Sequence, residues 1–178
     1  MRIIGGSHKG KEIAADNKLK LRPTTDFAKE GLFNILSNRC DLELFEVLDL
    51  FAGTGSISYE FVSRGCKTVH SVEIDARHVA YIRNTAKKFG FDNMRVIRND
   101  AFKFLNICKM QYDIVFADPP YEMQNIEKIP QLVFERGILK KNGILIVEHS
   151  KRNDFSLFEN FLENRRYGNV CFSFLGIH

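Results

Sequence analysis

Four consecutive residues, Asp118-Pro119-Pro120-Tyr121, carry the most specific chemistry in this 178-residue chain. They follow Asp113-Ile114-Val115-Phe116-Ala117, so an apolar run ends abruptly in a carboxylate. Two prolines fix φ and remove two N–H donors, while their carbonyls remain as acceptors. The segment thus presents acceptors in a rigid row, followed by an aromatic ring. That arrangement suits an amino group with two hydrogens to donate, carried on a flat ring that stacks against Tyr121. A proline-stiffened loop with a buried tyrosine is the plainer alternative. It does not account for the other residues gathered at strand ends.

Three further segments belong to that set. Asp49-Leu50-Phe51-Ala52-Gly53-Thr54-Gly55-Ser56 places two glycines two apart, where backbone turns sharply and a ligand can lie against it. The helix that follows offers free backbone N–H groups. A dinucleotide fingerprint requires glycine or alanine where Ser58 stands, and Asp49 repels phosphate. Asp49 instead suits a ligand with a cationic amine. Glu73-Ile74-Asp75 comes next, with Glu73 placed to accept from both hydroxyls of a ribose and Ile74 to pack on an adenine face. Asp75 reads better as a helix cap than as a ligand contact. In Asn99-Asp100-Ala101-Phe102, Asp100 is either a helix cap or an acceptor for an adenine amino group.

These residues need a sheet to position them. Short apolar strands are expected over 46–50, 68–74, 94–98, 113–117 and 143–148, with further strand within 167–176. Helices are expected from Thr25 to about Ser37, over 56–64, 76–89 and 101–108, partly over 124–136, and over 155–165. Residues 2–4 and 11–14 read as short strands around a glycine-rich turn. Strands alternating with helices imply an α/β fold with a mostly parallel sheet, helices on both faces and a short N-terminal β-hairpin. Ligands of such sheets bind beyond the carboxyl ends of the strands.

Hydrophobic residues make up 44% and charged residues 27%, as expected of one globular domain. The net charge is +4, and it is unevenly spread. Within residues 1–22, Arg2, Lys9, Lys11, Lys18, Lys20 and Arg22 face only Glu12 and Asp16, so this segment alone holds +4 and the remainder balances. Residues 1–22 therefore read as a basic arm on a body of residues 23–178. A polyanion is the expected partner. Cys40, Cys66, Cys108 and Cys171 lack metal-knuckle spacing, and no metal is expected. No apolar run is long enough for a membrane span, and the expected location is the cytoplasm.

The strand-end motifs together resemble class I S-adenosylmethionine-dependent methyltransferases, which have a Rossmann-like fold. Asp118-Pro119-Pro120-Tyr121 is similar to the signature of those that methylate amino groups of nucleobases. Arg2-Ile3-Ile4-Gly5-Gly6 with Lys9-Gly10-Lys11, then Arg22-Pro23-Thr24-Thr25, then Glu30-Gly31-Leu32-Phe33-Asn34-Ile35-Leu36, resemble the RsmD family. Members of that family methylate N2 of one guanine in bacterial 16S rRNA. The resemblance runs from Arg2 to about Gly168. It departs at Lys9-Gly10-Lys11, where an arginine is expected beside the glycine, so charge is kept but bidentate phosphate contact is lost.

The resemblance implies S-adenosyl-L-methionine as cofactor. Asp49, Phe51, Ala52, Gly53 and Gly55 would surround its methionine part, Glu73 and Ile74 its ribose and adenine, and Asp100, Ala101 and Phe102 its adenine. Asp118, Pro119, Pro120 and Tyr121 would hold the target base. Arg2, Lys9, Lys11, Lys18, Lys20, Arg22 and Thr24 would meet RNA. The implied partner is 16S rRNA or a small-subunit assembly intermediate, met by a monomer. Methylation of another base, such as adenine N6, uses the same corner. A non-catalytic RNA-binding assembly factor would keep the fold without the chemistry. A nicotinamide-dependent oxidoreductase is disfavoured by Ser58 and Asp49.

Overall fold

The structure, a computed structural model, describes residues 1–14 and 25–176. Seven strands form one sheet: β1 (Glu46–Leu50), β2 (Thr68–Glu73), β3 (Met94–Arg98), β4 (Tyr112–Ala117), β5 (Leu139–His149), β6 (Phe161–Tyr167) and β7 (Val170–Gly176). Their order across the sheet is β3-β2-β1-β4-β5-β7-β6. Strands β1 to β5 pair in parallel, while β7 is antiparallel to both β5 and β6. The order of the strands reverses between β1 and β4, which is where such sheets bind ligands.

Among the described residues five α-helices cover the sheet: α1 (Asp26–Arg39), α2 (Ser56–Ser63), α3 (Ala76–Phe89), α4 (Ala101–Ile107) and α5 (Lys128–Glu135). Side chains alternate across each strand. Val47, Phe116, Ile146 and Phe174 face α1, α2 and α3, forming one core with Leu32, Phe33, Phe61 and Ile82. Leu48, Leu50, Val115, Val147 and Leu175 face α4 and α5, forming the other with Phe104, Leu105, Ile129 and Val133. Local signals set the helix ends. Thr25 accepts from the Ala28 amide at 3.2 Å to open α1. Asp75 accepts from the Arg77 amide at 2.7 Å to open α3, and Gly90, at φ 70°, closes it.

The N-terminal hairpin is reduced to a single antiparallel bridge, Arg2–Glu12. It is flanked by Ile3 N–H donating to Lys11 O at 3.0 Å and Ile13 N–H to Met1 O at 2.9 Å. Ile3 and Ile13 are buried in the main core. The segment cannot lengthen into a free ribbon because α2 holds it. His8 N–H donates to Ser63 Oγ at 2.9 Å, and Ser63 Oγ donates to Gly5 O at 2.5 Å. At Gly6 (φ 74°) a Cβ would stand 1.8 Å from Ser63 O, so only glycine lets the chain approach α2 this closely.

A buried ion pair fixes the same junction. Lys29 of α1 lies 3.2 Å from Glu60 of α2, both almost fully buried. Lys29 Nζ also donates to Arg2 O at 2.7 Å, and Glu60 Oε1 accepts from Ile4 N–H at 2.6 Å. Arg64 Nε stands 3.7 Å from the other Glu60 oxygen.

Two expectations need correction. The segment expected to be helical over 155–165 instead forms turns, then strand β6. Asp154 accepts from the Ser156 amide at 2.9 Å, making a side-chain turn that competes with a helix start. Within this segment Phe155 is buried while Leu157 is almost wholly exposed. Strand β5 is also longer than the expected 143–148, because its first residues begin pairing at Tyr112–Leu139 before a register shift. Among the described residues no helix is long and apolar enough to cross a membrane.

Candidate functional site

The turn after β1 is built from three left-handed residues at alternate positions: Phe51 (φ 62°), Gly53 (φ 56°) and Gly55 (φ 81°). Phe51 adopts a conformation unusual for a bulky side chain. It swings the chain across β2, where Ala52 N–H donates to Val72 O at 2.9 Å. Gly55 is the N-cap residue of α2, and a Cβ there would meet the Tyr59 ring at 2.7 Å. Glu73, at the end of β2, holds this turn from beneath. Its Oε2 accepts from Gly53 N–H at 2.7 Å and its Oε1 from Asp75 N–H at 2.8 Å. Both oxygens keep a further lone pair each, so the carboxylate can still accept from a ligand.

Asp49 is buried under the turn. Ser58 Oγ donates to Asp49 Oδ2 at 2.5 Å and lies 2.6 Å from Ser71 Oγ. Ser58 entered the sequence reading only as a departure from a dinucleotide fingerprint; here it supports the acidic group. Burial raises the Asp49 carboxyl to about 7, Ser58 partly opposing this and the Glu73 charge adding to it. The free protein thus holds a proton that the unfolded chain, with an ordinary value of 3.8, releases. Stability from this group is therefore lost as pH rises from about 4 through about 7. Urea unfolding at pH 5 and pH 8 should show wild type losing roughly 2–3 kcal/mol more than Asp49→Asn over that interval. Equal pH slopes for the two proteins would reject a protonated Asp49.

Asp118 follows β4 directly, and its N–H donates to Leu50 O at 3.5 Å. The acid corner and the glycine turn therefore lie at the ends of paired strands, with Leu50 opposite Ala117. Asp118 retains some exposure, yet burial is the largest cause raising its carboxyl well above the ordinary range. The carboxylates of Glu148 and Asp49 raise it further. Glu148, buried near the end of β5, was missed in the sequence. Its signal was the same as that of Asp118: an apolar strand, Gly143-Ile144-Leu145-Ile146-Val147, ending in an acid. Pro119 is buried, Pro120 exposed, and Tyr121 about half exposed. Of the two proline carbonyls expected to be open, that of Pro120 already accepts from Met123 N–H at 2.8 Å.

Of the remaining sequence-nominated residues, Ile74 is 62% exposed beside Glu73. Phe102 meets Phe51 edge-to-face at 6.3 Å between centroids, joining the β1 turn to the start of α4. Ala101 is buried, and Asp100 caps α4 by accepting from Lys103 N–H at 2.9 Å. Lys9 and Lys11 are exposed, and Arg2 lies 3.8 Å from Asp26. Lys18, Lys20, Arg22, Pro23 and Thr24 lie outside the described residues. Among the described residues, no cluster of His, Cys, Asp and Glu has metal-holding geometry.

The chain is 33% identical over 165 residues to Ribosomal RNA small subunit methyltransferase D of Haemophilus influenzae, covering 90% of this chain and 84% of that protein. It is 34% identical over 160 residues to the protein of the same name from Escherichia coli K12, covering 86% and 76% respectively. The solved structure of a putative methyltransferase from Escherichia coli matches with a TM-score of 0.87 and 27% identity, covering 99% of this chain and 97% of that one. A parallel sheet with one reversed strand, a glycine turn after β1 and acids at successive strand ends define the Rossmann-like fold of a class I methyltransferase. The family described as Conserved hypothetical protein 95 matches residues 1–176. The chain belongs to that family, the RsmD methyltransferases.

Proposed function

We propose that this protein transfers a methyl group from S-adenosyl-L-methionine to the exocyclic N2 amine of a guanine in 16S ribosomal RNA. The observation that carries the proposal is the adjacency of the Asp118 corner and the β1 turn, tied by the Asp118 N–H to Leu50 O contact of 3.5 Å. Relatives named for methylation of small-subunit ribosomal RNA support the substrate class.

The residues fit the cofactor. Buried, proton-retaining Asp49 suits a ligand that brings its own positive charge. Phe51, Ala52, Gly53 and Gly55 supply a backbone turn with glycine at the two tight points that follow Phe51. Glu73 has lone pairs left for ribose hydroxyls, and exposed Ile74 with Ala101, Phe102 and Asp100 offers an apolar wall with one acid. When bound, the cofactor supplies an electrophilic methyl group on a sulfonium.

The chain's own residues then do the rest. Tyr121 offers its half-exposed ring to a base taken out of its stack. Asp118 and the Pro119 carbonyl accept the two amine hydrogens and orient the nitrogen lone pair, while Pro120 stiffens the corner. Holding both reactants in line supplies much of the acceleration. A carboxyl raised by burial and by Glu148 is well suited to take up the proton that the methylated nitrogen loses. Arg2, Lys9, Lys11, Lys18, Lys20, Arg22 and Thr24 hold the RNA backbone without reading its sequence. In this division of labour residues 1–22 act as the RNA arm and residues 23–178 as the catalytic body. The protein works as a cytoplasmic monomer on 16S rRNA or on a small-subunit assembly intermediate.

The test is transfer from tritiated S-adenosylmethionine to ribosomal RNA and small-subunit particles taken from cells lacking the protein. Label in N2-methylguanosine is the expected result. Label in N6-methyladenosine instead, or no transfer to any RNA, would overturn the proposal.

A further inference from the structure

Between Ala76 and Phe89, α3 carries Arg77, Arg83, Lys87 and Lys88 and no carboxylate. A cavity of about 480 Å³ lies between this helix and the end of the N-terminal segment, with Ala14, Arg77, Tyr81, Asn84, Lys88 and Phe89 in its walls. This volume is in the range of sites for small ligands. Its floor is ordered. Tyr81 donates to Ala14 O at 2.6 Å, and Phe89 stacks on Phe91 at 5.7 Å between centroids.

The ammonium groups of Lys11 and Lys88 sit 5.6 Å and 5.7 Å from the centre of the Phe89 ring. Neither has a carboxylate within 4.0 Å among the described residues. Arg77, at the other end, is held by Asp75 at 2.8 Å. One position connects the cavity to the chemistry. The helix begins three residues after Glu73, so its Arg77 end adjoins the strand-end site.

We propose that this cavity is a subsite for one nucleotide of the RNA strand flanking the methylated base, with phosphate against Lys11 and Lys88 and the base against Tyr81 and Phe89. Unpaired cations beside aromatic rings are the recurring means of holding single-stranded nucleic acid. The inference rests on the proposed methyl transfer to RNA and states where the strand continues.

The test compares binding of a short fluorescein-labelled single-stranded RNA by anisotropy across a salt series. Lys88→Gln should weaken binding about fourfold at 0.15 M salt and lower the log–log salt slope by about 0.7, the value of one phosphate contact on a single strand. Asn84→Glu, which puts a carboxylate beside Lys88 and favours the helix, should weaken it further. Lys109→Gln removes the same charge beside the start of β4, where the chain leaves α4 on the other face of the sheet, and should bind as wild type. If Lys88→Gln and Asn84→Glu bind as Lys109→Gln does, the subsite is rejected. If they lose affinity for an acidic peptide and not for RNA, it is likewise rejected. Methyl transfer by wild type, run in parallel, separates the two readings. An inactive wild type counts against the function, while the binding comparison still decides the cavity.

Discussion

Asp118→Ala is expected to slow methyl transfer by roughly a thousandfold, the scale of losing a group that meets charge developing in a transition state. Cofactor affinity should be largely kept, because Asp49, Glu73 and the β1 turn are untouched. The substitution also removes a carboxyl that burial, and then the charges of Glu148 and Asp49, raise above the ordinary range. Asp118→Asn separates the two roles of the side chain. It keeps one acceptor oxygen but cannot take a proton, and its amide hydrogens face the amine. Its loss should therefore approach that of the alanine variant. Single-turnover rates at saturating cofactor, with cofactor binding measured separately by calorimetry, provide the check. Turnover within tenfold of wild type in either variant would remove Asp118 from the catalytic group.

The second large effect concerns folding. Glu60→Ala should cost about 3–5 kcal/mol, because it strands the Lys29 ammonium in the core. Arg64 and the Ile4 amide lose the same partner. For a chain of this length that corresponds to a fall of roughly 10 °C in Tm. The double variant Lys29→Met with Glu60→Leu should recover much of the loss, since removing both charges leaves no isolated ion. Urea denaturation of the three proteins tests this. A Glu60→Ala protein within about 1 kcal/mol of wild type would mean that water reaches Lys29.

The elements most legible in the sequence were those bounded by their own local signals. Strand β1 over 46–50, α3 over 76–89 and β3 over 94–98 fall where expected, between capping residues and glycines. In the segment 155–165, Phe155, Phe158 and Phe161 stand three apart, a spacing that alone does not choose a helix over turns leading into an edge strand. The acidic corners were visible because strand ends are marked by an abrupt change of polarity. Their supports were not. Ser58 meets Asp49 and Ser71 only because α2 lies over β1 and β2, and no local pattern records that. Nothing in the local sequence marks Lys29 of α1 as buried. It is buried because residues 1–4, more than twenty positions earlier, fold across it.

The sheet has two open sides, and both bear ions. Strand β3 presents Arg95 and Arg98, and β6 presents Glu163, Arg165 and Arg166, with both arginines exposed. Growth of the sheet by a neighbouring molecule would pack these groups against their own copies, a recognised safeguard against strand-to-strand aggregation. Continued ladders between molecules are therefore disfavoured at either margin. At the β3 margin part of the hydrogen-bonding capacity is already taken up within the molecule, since Arg83 donates to Val96 O at 2.9 Å.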